Sequence, residues 1–311
     1  MVDSRLSRRG VILAAVAGLA GCTGSGGDDP ETGDDPETDD DPGETETDGD
    51  VDDSSQEDRR EEVPDRDVEP DWDTAASFRK WLLFESPIDG GNRRFDYTQS
   101  FPDDVDLSAV LPEFTELTID DVDAHLVQGF TQVFLGSFDA DAIADDAEAD
   151  DDAEVVGEYE GYAVISEVMP DEQERTLAVG ADAIVSGDDY EARIDARHGD
   201  GERLEDVDPE FTHLFEQFPH ETTITGEYDA PAGVLEMPEI YLWGVSSESP
   251  TAEEMTWVFV FEDEADLTEE TLSDLEAVSG DVLEADREGR TATIVGAAPE
   301  IDEEMAPGES D

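Results

Sequence analysis

Residues 131–135 read Thr131-Gln132-Val133-Phe134-Leu135, a run of β-branched and aromatic residues that predicts a strand. An acidic stretch at 139–150 follows and predicts a helix. The next run, Glu158-Tyr159-Glu160-Gly161-Tyr162-Ala163-Val164-Ile165, predicts a turn that leads into another strand. This order of elements indicates a fold that mixes helices with a sheet.

The pattern continues along the chain. Residues 176–186 predict a strand, 188–197 and 209–218 predict helices, and 222–228 predict a further strand. The helix at 209–218 has the clearest period, with apolar residues at i, i+3, i+4 and i+7: Phe211, Leu214, Phe215 and Phe218. The resulting β-α-β-β-α-β order is that of a ferredoxin-like split βαβ unit. We therefore expect an α+β fold of antiparallel sheets with helices on one face.

A similar order recurs near the C-terminus. Residues 256–260 predict a strand, 268–279 a helix with an apolar side, and 286–294 a turn and a strand. The pairs Glu160-Gly161 and Glu288-Gly289 occupy similar places in the two stretches. The recurrence predicts a smaller, related C-terminal unit, although chance similarity between two strand–helix–strand stretches explains it equally well.

Apolar clusters begin at Trp72, where a helix is predicted from Asp73 to about residue 84. We divide the folded region into an α+β ferredoxin-like unit at 72–228 and a smaller α+β unit at 229–301. The second unit offers too few elements for independent stability, so we expect it to share the core of the first. A disordered tail is predicted at 302–311.

A linker is predicted at 22–71, before the folded region. It contains an imperfect acidic repeat that includes Asp28-Asp29-Pro30-Glu31-Thr32 and Asp34-Asp35-Pro36-Glu37-Thr38, and large aliphatic residues are almost absent. Such a segment buries too little apolar surface to offset the entropy of ordering, so we expect it to be disordered. It serves either as a tether or as a solubilising tail.

The first 21 residues predict an export signal. Arg8 and Arg9 precede a ten-residue apolar stretch at 11–20, which is too short to span a membrane, because about 20 apolar residues are needed. The paired arginines resemble a twin-arginine signal. Leu19-Ala20-Gly21-Cys22 resembles a lipobox, which implies lipid on Cys22, the single cysteine of the chain. A buried helix with an incidental cysteine is the alternative.

The charge of the chain predicts that its solvent is a concentrated salt solution. Asp and Glu total 89 against 16 Lys and Arg, a formal net charge of −73, and Lys80 is the single lysine. Such a surface repels itself in dilute buffer, whereas at 1 M salt the Debye length is about 3 Å and the repulsion is screened. The acidity argues against nucleic-acid binding and against electrostatic docking on anionic headgroups, since both need clustered basic residues.

Together, the paired arginines, Cys22 and the acidic, lysine-poor composition resemble the lipobox lipoproteins that halophilic archaea export by the twin-arginine route, a group without assigned activity. The resemblance implies a protein on the extracellular face of the cell membrane, anchored through lipid on Cys22. A surface-layer or other envelope protein is its expected partner.

Residues that suggest a catalytic or metal site are few. The chain contains no nucleophile elbow, phosphate-binding loop, His-Glu-x-x-His pair or Cys-x-x-Cys pair, so we assign no catalytic or cofactor-binding residue. His213 and His220 with nearby glutamates suggest zinc, but Pro219 interrupts the helix between them. The acidic loop that includes Asp195, Asp200 and Glu202 suggests calcium, although clusters of this kind arise from composition alone.

Three functions fit these observations. An anchor and a spacer without a catalytic signature favour a tethered binding or envelope-interaction module over an enzyme. A solute-binding lipoprotein of a transporter is the first alternative, but no pair of α/β lobes is evident in the pattern. A carboxylate-dependent hydrolase is the second, and pairs of carboxylates in so acidic a chain do not identify one.

Overall fold

The computed structural model describes residues 60–298 except 62, 87–89, 92–93, 102–104, 106, 170–172 and 232–233. The predicted signal with Arg8, Arg9 and Cys22, most of the predicted linker and the predicted tail at 302–311 lie outside the described residues. Within the described part, no helix is both long and apolar enough to cross a membrane.

The described part of the chain is built mainly from strands. The strands are β1 (Glu85–Ser86), β2 (Gly90–Gly91), β3 (Arg94–Thr98), β4 (Val122–Gln128), β5 (Thr131–Gly136), β6 (Ala153–Tyr159), β7 (Tyr162–Val168), β8 (Glu174–Val179), β9 (Ala183–Ser186), β10 (Thr223–Tyr228), β11 (Ile240–Ser247), β12 (Glu254–Phe261), β13 (Val282–Glu288) and β14 (Thr291–Ala297). The predicted strand at 176–186 is two strands, β8 and β9, because the chain reverses after Gly180.

The helices are short. The α-helices are α1 (Ala140–Ala149), α2 (Tyr190–His198), α3 (Leu204–Val207), α4 (Pro209–Gln217) and α5 (Glu269–Leu275). Single 3-10 turns occur at Ser77–Trp81, Leu107–Ala109, Glu113–Thr115, Ile119–Asp121 and Glu276–Val278. The helix predicted from Asp73 is therefore only the 3-10 turn Ser77–Trp81.

The side chain of Asp208 explains where α4 begins. It accepts a hydrogen bond from the backbone N–H of Glu210 at 3.0 Å, and Pro209 occupies the first helical position, where a missing N–H costs nothing. The apolar period then buries Phe211, Leu214 and Phe215. The prediction of this helix is confirmed to within one residue.

Twelve of the described strands form one sheet in the order β13-β14-β12-β11-β10-β3-β4-β5-β9-β8-β7-β6, and β1 pairs with β2 separately. Every strand pair is antiparallel. The α+β, antiparallel prediction is therefore correct at this level. The ferredoxin-like prediction does not describe the sheet, because a split βαβ unit accounts for only a small part of its twelve strands.

The topology repeats once. In the first unit, the meander β3-β4-β5 is followed by α1 and the hairpin β6–β7; in the second, β10-β11-β12 is followed by α5 and the hairpin β13–β14. The two units meet where β3 pairs with β10, and in the first unit the hairpin β8–β9 is inserted between β7 and β5. The repeat therefore divides before β10, whereas the sequence-based boundary follows Tyr228.

Both faces of the sheet carry helices. Val133 and Phe134 are neighbours on β5 and point to opposite faces, as alternate residues of a strand do. Val133 packs in a central cluster with residues of α2, α3 and α4, whereas Phe134 packs in a second cluster with Ile143 of α1. Phe259 of β12 packs with Leu275 of α5 in a third cluster, on the face opposite to Val258. The prediction that helices cover only one face of the sheet is therefore wrong.

The central cluster joins the two units. It includes Phe78, Leu126 and Phe95 of the first unit together with Val258 and Val260 of the second. Trp81 is buried in this cluster at 0% exposure, and Trp257 is buried in the third cluster at 5% exposure. Removing either unit would expose part of this cluster.

The outermost strands of the sheet each contain a β-bulge. The pairing of β6 with β7 shifts between Val155 and Gly157, and that of β13 with β14 shifts between Val282 and Glu284. The extra residues, Val156 and Leu283, are 56% and 64% exposed. Bulges of this kind disturb the ladder at an open edge and hinder addition of a further strand.

Candidate functional site

The segment at 60–70, which we call the strap, lies on the folded core. Val63 is 3% exposed within the central cluster. Nε of Arg60 lies 3.3 Å from Oδ1 of Asp208, and Nε of Arg66 donates to Oε2 of Glu210 at 2.8 Å. These contacts correct the predicted linker at 22–71, because its last residues belong to the folded part.

The two carboxylates under the strap are buried. Asp208 is 0% exposed and accepts hydrogen bonds from the hydroxyls of Tyr228 at 2.9 Å and Tyr241 at 2.6 Å. Burial raises the pKa of the Asp208 carboxyl, and the hydrogen bond from Tyr241 opposes that rise. Glu210, also 0% exposed, lies between the guanidinium groups of Arg66 and Arg290. These carboxylates therefore hold the strap to the start of α4 and are not open to solvent.

A cleft of about 590 Å³ opens beside the strap. Its walls come from the strap, from α4, from Glu264 and from the hairpin β13–β14. The lining residues are Pro64, Asp65, Arg66, Asp67, His213, Gln217, Glu264, Asp286, Arg287, Glu288, Gly289, Arg290, Thr291 and Thr293. Small-molecule sites in proteins are commonly clefts of about 300–1,000 Å³, so this cleft is large enough for a small ligand.

The basic and the acidic residues of the cleft lie at different depths. Arg66, His213, Arg290 and Thr293 are half-buried and Thr291 is buried. The acidic lining residues form an exposed rim: Asp65, Asp67, Glu264, Asp286 and Glu288. The inner wall thus offers guanidinium, imidazole and hydroxyl groups to a ligand, while the rim carries negative charge.

His213 lies on the inner wall and is held by a neighbour. Its Nε2 lies 2.8 Å from Oγ1 of Thr291, a hydrogen bond that ties α4 to β14. Burial, with a smaller contribution from the positive charge of Arg66, lowers the pKa of His213 to about 4. The imidazole is therefore neutral near pH 7 and donates or accepts a single hydrogen bond at each nitrogen.

The structure does not bring the predicted zinc ligands together. The helix α4 ends at Gln217, and His220 lies beyond it on the surface, whereas His213 bonds to Thr291. Across the described ranges, no three His, Cys, Asp or Glu side chains are grouped to hold a metal ion.

The residues proposed for calcium are likewise used in other ways. Asp195 lies on α2 and accepts a hydrogen bond from the Tyr159 hydroxyl at 2.8 Å. Asp200 follows Gly199, which ends α2 in the left-handed conformation, and both Asp200 and Glu202 are exposed. Asp195, Asp200 and Glu202 therefore do not form a calcium cage within the described residues.

The cleft was not evident from the sequence, because Arg66 falls in the predicted linker. A signal was nevertheless present: residues 23–58 contain no Lys or Arg, and basic residues return at Arg59 and Arg60, followed by Val63. That change of composition marks the start of the folded part better than Trp72 does. Nothing in the local sequence predicted that α4 lies beside the β13–β14 hairpin.

Comparison with known proteins gives little. No protein-family model matches the chain, and no curated protein is similar to it. One solved structure, crystal form IV of TP0453, is 9% identical and has a TM-score of 0.37 over 67% of this chain and 90% of that chain. A likeness at that level supports no conclusion about fold or function.

Proposed function

We propose that this chain is a lipid-anchored surface protein of a halophilic archaeon that acts as a binding module. The support for the anchor is the arrangement of Arg8 and Arg9 before an apolar stretch that ends at Cys22. The support for the habitat is the net charge of −73 with a single lysine. In this proposal, the twin-arginine route exports the chain, and lipid on Cys22 holds it at the extracellular face.

The cleft is the observation that carries the binding proposal. It combines a volume suited to a small ligand with three kinds of hydrogen-bonding group on its inner wall: Arg66, His213 and Thr291. Such a set favours a polar ligand that carries hydroxyl or carboxylate groups. The acidic rim lies exposed, where molar salt screens its charge.

The alternatives have weaker support. A transporter's solute-binding lipoprotein would also use a small-ligand cleft, but the continuous sheet differs from two α/β lobes with a crevice between them. The carboxylates that line the cleft are exposed: Asp65, Asp67, Glu264, Asp286 and Glu288. A hydrolase also needs an acid whose pKa is raised by burial. Asp208 and Glu210, the buried carboxylates near the cleft, bond instead to tyrosines and arginines.

The repeated topology supports a finer proposal for the fold. We infer that the units β3–β9 and β10–β14 are related by internal duplication, with the hairpin β8–β9 as an addition to the first unit. In both units, the crossover helix lies on the same face of the sheet and covers its own apolar cluster.

Binding to the cleft is testable with the histidines as reporters. The full chain, in about 3 M KCl to screen its charge, is titrated with glutamate, glucuronate and glucose, and the ring resonances of His213 are followed by NMR. His198, exposed at the end of α2, is the control in the same sample. We expect a saturable shift of His213 with at least one of these probes and none of His198. Equal shifts of both rings, or no shift with any probe, would refute the cleft as the ligand site.

A variant sharpens this test. Thr293→Val removes one hydroxyl from the cleft wall and nearly preserves the volume of the side chain. If that hydroxyl bonds the ligand, affinity should fall by about twofold to tenfold, as expected for loss of one hydrogen bond of roughly 0.5–1.5 kcal/mol. Unchanged affinity would remove Thr293 from the site but leave the remaining wall in place.

A further inference from the structure

Exposed apolar side chains are concentrated at one end of the sheet. Among the described residues, the exposed large apolar side chains are Phe130 (79%), Leu283 (64%), Val234 (59%), Val156 (56%) and Val168 (46%). Val156 and Leu283 are the bulge residues of the two edge strands. The other three lie in, or next to, connections between antiparallel strands.

The register places these three connections at the same end. Phe130 lies in the two-residue connection between β4 and β5, where Gln128 pairs with Thr131. Strand β10 ends beside the start of β3, because Glu227 pairs with Arg94, so the β10–β11 connection with Val234 lies at that end. Strand β9 ends there as well, since Gln132 pairs with Ser186. Strand β8 therefore begins there, next to Val168 at the end of β7.

The spacing of the three connections is regular. Along the sheet, the β10–β11, β4–β5 and β7–β8 connections are each three strands apart. Neighbouring strands are about 4.8 Å apart, so successive connections are separated by roughly 14 Å along the sheet. We call this end of the sheet the Phe130 end.

The sequence around Phe130 is also free of charge, which is unusual in this chain. Residues 124–138, which surround Phe130, contain no Asp, Glu, Lys or Arg, and neither do residues 230–235 around Val234. Asp and Glu make up 89 of the 311 residues, so an uncharged run of this length stands out. Desolvating the β4–β5 connection therefore removes no ionic group from water, whereas the β10–β11 connection also contains Asp229, Glu236 and Glu239.

The chain also enters the fold at the Phe130 end. The β13–β14 turn lies there, because Val260 near the end of β12 pairs with Thr291, and β12 ends beside the start of β11. Arg290 in that turn donates from Nη2 to the carbonyl oxygen of Pro64 in the strap at 3.3 Å. Only 37 residues, 23–59, separate the strap from Cys22. At full extension they reach about 120–130 Å, so a lipid on Cys22 keeps the folded part within that distance of the membrane, with the Phe130 end as its point of attachment.

We infer that the Phe130 end docks on a lipid surface, with Phe130, Val168 and Val234 inserted between headgroups. Protein partners bind contiguous patches or grooves, whereas these side chains stand apart on separate turns. Separate apolar side chains on projecting turns suit a fluid surface, which closes around each of them. The inference rests on the proposed lipid anchor, which supplies the proximity; the docking adds an orientation to it.

The test uses the full chain with Cys22→Ser, so that no lipid is attached, and vesicles of zwitterionic phosphatidylcholine in about 3 M KCl, where charge is screened. Phe130→Trp reports insertion, and Val156→Trp is the matched control, since Val156 is also exposed but lies on an edge strand. Emission is measured with vesicles that contain or lack brominated chains, and the spectrum of the protein without the added tryptophan is subtracted.

We expect brominated lipid to quench the tryptophan at position 130 and to leave that at position 156 unchanged. Phe130→Asp should lower partitioning of the Cys22→Ser protein to vesicles by about tenfold, as expected for loss of one buried aromatic side chain. Absence of quenching at 130, or equal quenching at both positions, would overturn the inference. So would a blue shift without vesicles that grows with protein concentration, because it would indicate self-association. Since no lipidated protein is used, failure here leaves the anchor at Cys22 standing.

Discussion

Arg66 donates a hydrogen bond of 2.8 Å to Glu210, a glutamate whose side chain is only 1% exposed. The contact joins a residue of the strap to the start of α4, far along the chain. It shows that the folded part of the protein begins before Trp72. The strap therefore contributes to stability and forms one wall of the cleft.

A chain that begins at Trp72 should consequently be less stable than one that begins at residue 56. It loses Val63, and it leaves Asp208 and Glu210 without the guanidinium groups of Arg60 and Arg66. Breaking a buried ion pair costs about 3–5 kcal/mol, which corresponds to a fall in Tm of roughly 6–20 °C. Thermal unfolding of both chains in about 3 M KCl measures the difference. Equal Tm values would show that the strap contributes nothing to stability.

Acid should destabilise the fold partly through His125. Its ring stacks on Phe134 with centroids 4.5 Å apart and bonds to Gln132, and burial lowers the pKa of His125 from 6.5 to about 4. Between these values the unfolded chain binds more protons than the folded chain, so stability falls as pH falls through this window.

His125→Gln should flatten this dependence by at most about 1.4 kcal/mol per pH unit, the effect of one proton. Free energies of unfolding at several pH values across the window give the slope. His198→Gln, a substitution of an exposed histidine, is the control and should leave the slope near that of the parent protein. An unchanged slope in His125→Gln would contradict the low pKa of His125.

Deleting the chain from Thr251 onward should abolish cooperative unfolding. The deletion removes Val258 and Val260 from the central cluster and exposes β11, which pairs with β12 along its length. The apolar surface left on residues 60–250 should cause aggregation, which light scattering during a thermal scan would detect. A single sharp transition at the original Tm would instead mean that the second unit is independent of the first.

Folding should also require salt. The formal net charge of −73 repels itself strongly in dilute buffer, and the Debye length shortens to about 3 Å at 1 M salt. Circular dichroism at rising KCl concentration should therefore show a gain of structure up to the molar range. The same titration with a neutral osmolyte at matched osmolality separates screening of charge from preferential exclusion. Complete, cooperative folding at low ionic strength would be contrary to this expectation.

Local patterns predicted local elements well. The helix α4 followed from the period of Phe211, Leu214 and Phe215, and the turn before β7 followed from Glu160-Gly161. Glu160 and Gly161 both have positive φ, as a tight two-residue hairpin turn requires. The equivalence with Glu288-Gly289 is shifted by one residue, because the second turn is formed by Gly289 and Arg290.

The order of the strands had no such signal. Strand β3 pairs with β10 although most of the first unit separates the two along the chain, because hydrogen bonds between strands do not depend on that separation. The extent of the sheet, twelve strands in place of the few of a ferredoxin-like unit, was missed for this reason. The cleft was missed on the same ground, since Arg66, His213 and Thr291 come from three distant segments.

The attachment of lipid to Cys22 is the central claim, and the intact mass of the membrane-bound protein from a halophilic archaeal host tests it most directly. We predict a mature chain that begins at Cys22, with added mass equal to that of a two-chain lipid, since a single chain binds membranes only weakly. Cys22→Ser should remove that mass and release the protein from the membrane fraction or leave its precursor uncleaved. Arg8→Lys with Arg9→Lys should block export before this step. A mature chain that carries no added mass and still remains in the membrane fraction, whether or not Cys22 is replaced, would contradict the account.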